Sequence, residues 1–183
     1  MIQKVHQFNM GAILDVVYNH VYDAKSFENV APGGYLRRNV YGEISYHSGA
    51  GASVESRHLM VRKLIVDSLY YFQQFYQFDG MRFDLMGFLD HETMKAIRKK
   101  LGPNAILVGE AWEFSDLPSN EATTKSNLPQ EAALAVFNDS SRDSYTGPQS
   151  SRGVVQGNQH FLPQARAAIM GGLRNFDNLE GSL

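Results

Sequence analysis

The sequence predicts an α/β protein built on a parallel sheet, and three stretches carry that prediction. Gly11-Ala12-Ile13-Leu14-Asp15, Asp79-Gly80-Met81-Arg82-Phe83-Asp84 and Ala105-Ile106-Leu107-Val108-Gly109-Glu110 are short, largely apolar runs that end in polar residues. Strands that read as apolar runs belong to parallel sheets covered on both faces. Polar residues just past their C-terminal ends are where parallel α/β folds keep their active sites. Helix, strand and polar turn recur along the chain, which is the repeating unit of an α/β barrel.

Taken in order, Ile2, Val5 and Phe8 share one side of a short helix over 2–10, and Gly11 stops it. The first strand then runs through Asp15 into the polar cluster Tyr18-Asn19-His20. From Val21 to Ser56 there is no periodicity and much Gly, Tyr, Asn and Ser, so this stretch reads as a long loop of the functional kind. Its aromatics Tyr22, Phe27, Tyr35, Tyr41 and Tyr46 have flat faces that suit sugar rings, although packing onto the domain explains most of them. Residues 57–77 give the clearest helix, with Met60, Leu64, Leu69, Phe72 and Phe75 on or near one side. The central strand over 79–87 follows.

Asp90 is a good N-cap for a helix that passes Met94, Ile97 and Leu101 and ends at Gly102-Pro103. After the strand that reaches Glu110 and Trp112, Ala132 to Phe137 is the next candidate strand. Residues 144–160 read as loop and Leu162 to Leu173 as a short helix. No internal repeat exists beyond this alternation, and residues 1–183 read as one domain.

The net charge of -2 favours neither nucleic acid nor an anionic membrane surface. There is no cysteine, which excludes disulfides and thiolate chemistry. No signal peptide and no bilayer-spanning run are present, so the chain as written is expected to be cytoplasmic, while a longer parent would be free to be secreted.

Within the central strand Arg82 and Asp84 are two residues apart and point the same way, with Phe83 and Leu85 on the other side. A charge pair costs several kcal/mol to desolvate, so it marks either a structural ion pair or chemistry. Asp15 and Glu110, each at the end of its own run, give the pair company.

Asp15-Val16-Val17-Tyr18-Asn19-His20, Gly80-Met81-Arg82-Phe83-Asp84-Leu85-Met86-Gly87 and Gly109-Glu110-Ala111-Trp112 resemble, in order and spacing, three of the four signature regions of the α-amylase superfamily of retaining α-glycoside hydrolases. Leu85-Met86-Gly87 and the Phe137 to Asp143 stretch look like type I pullulanases within it. The resemblance implies a partial (β/α)₈ (TIM) barrel, about strands three to six, in a chain whose function is hydrolysis of α-1,6 links in pullulan, starch or glycogen. It makes Asp84 the nucleophile and Glu110 the acid/base, with Asp15, Tyr18, His20, Arg82 and Trp112 contacting substrate. Arg82 would hold Asp84 ionised, while Val108 and Trp112 would partly desolvate Glu110.

No cofactor is implied. Asn19 matches a calcium ligand of some amylases, and one amide oxygen does not make a metal site. The expected partners are an α-glucan and the remainder of a parent enzyme, with no nucleic acid and no membrane. Met81 stands where the family more often has Phe, and Ala111 where Gly or Pro is common. The family's fourth region, a histidine followed by an aspartate, and the pullulanase signature Tyr-Asn-Trp-Gly-Tyr are both absent from the sequence. An α-1,4-glucan hydrolase of the same superfamily and a non-catalytic α-glucan-binding fragment are the alternatives.

Overall fold

The computed structural model describes residues 1–147 and 152–170. It divides into two compact units, Met1–Val136 and Phe137–Leu183. The strands, in chain order, are β1 (Ile13–Val16), β2 (His20–Val21), β3 (Ala52–Ser53), β4 (Gly80–Phe83), β5 (Ile106–Gly109) and β6 (Ala135–Val136). The helices are α1 (Ile2–Gln7), α2 (Ala24–Val30), α3 (Leu59–Tyr76), α4 (His91–Leu101), α5 (Asp139–Thr146) and α6 (Leu162–Met170).

In the first unit, β1, β4, β5 and β6 form one parallel sheet in that order. Helix α3 precedes β4 and α4 joins β4 to β5, the βα alternation that the sequence predicts, whereas β5 reaches β6 through a long connection with one 3₁₀ turn. Among the described residues the sheet is open, with β1 and β6 at its edges. Its register puts Asp15 beside Arg82, and Arg82 beside Val108. The interior is made by Met81, Phe83 and Leu107 of the sheet against Val61, Ile65 and Leu69 of α3 and Met94, Ile97 and Leu101 of α4, all buried.

Helix α4 is written in the sequence. The Asp90 side chain accepts from Thr93 N at 3.1 Å and caps the first turn. Arg98, Lys99 and Lys100 complement the negative end of the helix dipole, and Gly102 follows with φ 87°.

Helix α3 corrects the expected face. Of the residues expected to share it, Leu69 is buried and Phe72 partly so, whereas Met60, Leu64 and Phe75 are exposed. The buried stripe is Val61, Ile65 and Leu69, spaced by four. Two apolar stripes lie side by side on this helix, and periodicity alone does not say which one meets the sheet.

The stretch over 21–56 is more ordered than a plain loop. Asp23 caps α2 by accepting from Lys25 N, and β2 pairs antiparallel with β3. Phe27 and Tyr35 pack edge to face at 5.4 Å, while Tyr22, Tyr41 and Tyr46 are exposed. The expected strand over 132–137 shrinks to the two residues of β6, because Gln130–Ala132 is a 3₁₀ turn.

In the second unit Asn138 caps α5 by accepting from Ser141 N at 2.9 Å, so the Phe137 to Asp143 stretch opens a helix that runs on to Thr146. Short 3₁₀ turns at Val154–Gln156 and Gln159–Phe161 occupy part of the expected loop. Helix α6 matches the expected helix as far as Met170. Positions 148–151 of the expected loop and 171–173 of the expected helix lie outside the described residues.

Gly80 starts β4 where the strands come closest. A Cβ there would lie 2.2 Å from the carbonyl oxygen of Ile106 on β5. Backbone in a ladder has little freedom to give way, so Gly80→Ala is expected to cost about 2–4 kcal/mol in urea denaturation. An unchanged midpoint would show that β4 and β5 separate easily.

Candidate active site

The parallel ladder extends one residue beyond each strand. Asp84 N donates to Val16 O at 3.0 Å, and Glu110 N donates to Phe83 O at 3.0 Å. Asp84 and Glu110 therefore stand side by side just past the C-terminal ends of β4 and β5. Asp15 and Arg82 occupy one row of the sheet, and Asp84 lies two residues further along the face that carries Arg82.

Arg82 gathers these groups. Its Nη1 donates to Asp15 Oδ1 at 2.8 Å and to Asp84 Oδ1 at 3.0 Å, and its Nη2 donates to Glu110 Oε1. One guanidinium thus bridges three carboxylates drawn from three strands, a task for which its planar fork of donors is suited. Arg82 was expected to serve Asp84 and leave Glu110 to an apolar setting. Arg82 also reaches Glu110, because β4 lies between β1, which carries Asp15, and β5, whose end carries Glu110. Burial alone would lower the Arg82 pKa, but hydrogen bonds to Asp15 and Asp84 and the charge of Glu110 outweigh it and raise it further.

Asp84 is oriented from its other side by Asn19. Asn19 Nδ2 donates to Asp84 O at 2.6 Å and to Asp84 Oδ2 at 3.1 Å, while its own Oδ1 meets His20 Nδ1. Asn19 is wholly buried, so its amide has one fixed arrangement. The Tyr18-Asn19-His20 cluster is the only trace of this role in the sequence. Leu85, directly after Asp84, has φ 41° and ψ 52°, a left-handed conformation costing about 1–3 kcal/mol in a residue with a side chain. Glu110 Oε2 accepts from Leu85 N at 3.3 Å and helps to hold that turn.

The remaining expected substrate contacts divide. His20 borders the site through Asn19. Trp112 is half-buried two residues beyond Glu110, and its carbonyl approaches Gly87 so closely that a Cβ there would sit 3.0 Å away. Tyr18 turns toward α3. Its hydroxyl bonds Ser68 Oγ of α3 at 2.6 Å, and its ring lines an apolar cavity with His20, Phe27, Tyr35 and Ile65. Val17 and Tyr18 lie past the end of β1, where strand alternation no longer fixes direction. Burial pushes the Tyr18 phenol up, against the smaller effect of its bond to Ser68.

The loops around the site are tied by a buried arginine. Arg37, 2% exposed, donates through Nη2 to Val54 O at 2.8 Å and Phe88 O at 3.0 Å and pairs through Nη1 with Asp116. Its Nε lies 3.6 Å from Glu55. Val54 borders β3, Phe88 belongs to the turn after Asp84, and Asp116 to the segment after Glu110. Among the described residues no group of three or more His, Asp or Glu side chains forms a metal-binding cluster. Among them, too, no helix is long and apolar enough to cross a membrane.

A parallel α/β sheet with two carboxylates on adjacent strand ends defines the class. The particular family comes from comparison with known proteins. The chain is 38% identical over 153 residues to a pullulanase of Bacillus subtilis, a match covering 80% of this chain and 21% of the relative. It is 34% identical over 167 residues to a chloroplastic pullulanase of Arabidopsis thaliana, covering 80% and 17%. The solved type I pullulanase of B. subtilis with maltose superposes with a TM-score of 0.88 at 34% identity, over 93% of this chain and 25% of that one. A pullulanase of Anoxybacillus with maltotriose gives 0.88 at 38%, over 93% and 26%. No protein-family model matches the chain. Over about four fifths of its length the chain is similar to pullulanases, with a type I pullulanase among the similar solved structures, and it spans about a fifth of the length of the B. subtilis relative.

Three buried carboxylates tie stability to pH. Burial alone would push Glu55, Asp90 and Asp116 up. Hydrogen bonds from Arg57 to Glu55, from Thr93 and Ser56 to Asp90, and the charge of Arg37 beside Asp116 outweigh it, and all three are held below the usual carboxylate range. Such groups bind protons more tightly when unfolded, so their contribution is full above the unfolded values of about 4 and is lost as pH falls through the lower folded ones. The melting temperature, followed by Trp112 fluorescence, is expected to be level above about pH 5 and to fall steadily below about pH 4. Asp116→Asn should make that fall shallower. An identical acid limb in the variant would remove Asp116 from the account.

Proposed function

We propose that this chain is the segment of a debranching α-glucan hydrolase that carries its catalytic pair, corresponding to about strands three to six of a (β/α)₈ barrel, and that it acts on α-1,6-glucosidic links in pullulan, starch or glycogen. The observation that carries the reading is the single guanidinium of Arg82 bridging Asp84 and Glu110 on adjacent strand ends. A retaining glycosidase needs two carboxyl groups about 5 Å apart across the scissile bond, and two carboxylates on one guanidinium suit that spacing.

In this mechanism Asp84 attacks the anomeric carbon while Glu110 protonates the departing glycosidic oxygen. Glu110, now ionised, takes a proton from water, and that water displaces Asp84 from the same carbon. Arg82 on Oδ1 and Asn19 on Oδ2 fix the Asp84 carboxylate as a charged, oriented nucleophile. The positive charge that develops on the sugar ring faces an excess of carboxylates over the one arginine. Asp15, 67% exposed, and His20 are positioned for the hydroxyls of the sugar on the non-reducing side, with Trp112 as the apolar wall. Tyr18 has no part in this reading.

The chemistry as written uses no cofactor, and calcium has no role in it. The substrate is an α-glucan, and the remainder of a parent enzyme would complete the site. The names of the relatives support α-1,6 over α-1,4 cleavage: pullulanases, and an isoamylase of rice at 36% identity over 137 residues.

The test is a chimera in which this segment replaces the matching stretch of the B. subtilis pullulanase, assayed on pullulan. Maltotriose is the expected product, and Asp84→Asn in the chimera should lower its release by about 10³-fold or more without unfolding the protein. Other oligosaccharides from pullulan would favour the α-1,4 reading. Full activity in the variant would remove Asp84 as nucleophile. The free chain, which lacks the family's fourth region, is expected to release far less product than the chimera.

A further inference from the structure

Leu85-Met86-Gly87 follows Asp84 directly and forms the turn that leaves β4. All three of its residues meet the end of β5. Leu85 N donates to Glu110 Oε2 at 3.3 Å. Met86, wholly buried, packs on Gly109: a Cβ on Gly109 would lie 2.6 Å from Met86 Sδ, 2.9 Å from its Cβ and 3.1 Å from its Cε. Gly87 lies against the backbone beyond Glu110, since a Cβ there would be 3.0 Å from Trp112 O and 2.9 Å from Phe114 O.

We propose that Met86, seated on Gly109, is a positioning residue that sets the place of Glu110 relative to Asp84. The inference rests on those two carboxylates being the catalytic pair. Strand pairing spaces the backbones of β4 and β5 by about 4.8 Å. That ladder ends where Glu110 N donates to Phe83 O. Beyond it the sheet imposes nothing, yet a retaining mechanism tolerates only a narrow range of carboxyl separations. The turn after Asp84 supplies the missing constraint.

It does so from two directions. Gly109 pairs with Phe83, and alternation turns both toward the buried core and Glu110 toward the opposite face with Arg82. Met86 therefore bears on the last residue of β5 from the core side, while Leu85 N holds the Glu110 carboxylate itself. The close approach of Met86 Cβ shows that the main chain of the turn, and not only a flexible thioether, closes on β5. A side chain at Gly109 would take the space that this approach needs.

The turn has little freedom to yield. Phe88 N donates to Leu85 O at 3.0 Å and Leu89 N to Met86 O at 3.0 Å, and Arg37 Nη2 holds Phe88 O at 3.0 Å. Close-packed interiors transmit a displacement instead of absorbing it. An atom added at Gly109 must push Met86, and with it the turn that begins at Asp84 and carries the donor to Glu110.

The test has two arms, each applied to the parent sequence, Gly109→Ala and Gly109→Ala with Met86→Ala. In the first, NMR follows the Leu85 amide proton of the 183-residue chain. Gly109→Ala is expected to weaken its bond to Glu110 and move the resonance upfield. The double variant, which removes Sδ and Cε, should bring it back toward the parent position. In the second arm the same changes are made in the B. subtilis chimera, assayed on pullulan well below its melting temperature. A misplaced acid/base costs rate more than affinity, so Gly109→Ala should lower kcat by about tenfold or more with KM within about twofold, and the double variant should recover most of the loss. A Leu85 amide that stays in place in Gly109→Ala, or a double variant no better than the single one in both arms, would overturn the proposal. So would a loss that falls on KM alone. Should Gly109→Ala fail to fold, Met86→Ala alone decides: it should move the amide and lower kcat about threefold, and parent values in both would overturn the proposal. A chimera inactive with the parent segment would tell against the hydrolytic reading, while the amide arm would still decide whether Met86 positions Glu110.

Discussion

One guanidinium sets the geometry on which the site depends. Arg82 lies in the middle of three strands and draws a carboxylate from each, which is achieved only when β1, β4 and β5 are in their observed register. A slip of one residue would turn Arg82 to the opposite face and leave a charge among Met81, Phe83 and Leu107. Arg82 bonds both Asp84 and Glu110 and so stands between the two carboxyl groups. The same residue thus enforces strand register and makes two adjacent carboxylates compatible with a folded state.

Rigidity around this centre comes from polar groups as much as from the apolar core. Asn19 braces Asp84 from below, and Arg37 joins the β3 flank, the turn after Asp84 and the segment after Glu110. Buried charges of this kind add little net stability compared with apolar packing, but removing one partner is costly, so they act as latches on loop position. The strained conformation of Leu85 fits the same picture. A left-handed leucine persists only where its neighbours determine it, here through the bond that Asn19 donates to Asp84 O and the one that Leu85 N donates to Glu110.

Much of this was legible before any coordinates. Three apolar runs ending in Asp15, Asp84 and Glu110 became three neighbouring parallel strands, and Asp90 and Gly102 bounded α4 as their chemistry dictates. The errors have physical causes. On α3 the stripe through Val61 and the stripe through Met60 both satisfy helical period, and contact with the sheet chose the first. Tyr18 lies in a motif rich in functional residues, yet it follows the strand end and turns to Ser68. The stretch over 21–56 lacks periodicity because its order comes from caps, bridges and one buried arginine, none of which leaves a repeating pattern.

The sequence by itself determined the order of strands and helices, the residues at the strand ends and the family they resemble, because periodicity and local capping are properties of neighbours along the chain. Only the tertiary structure decided that Arg82 would serve three carboxylates and that Asn19 would orient Asp84. Those relations reach across as many as 67 positions of the chain. They exist only once the sheet register and the buried polar contacts have fixed the chain in three dimensions.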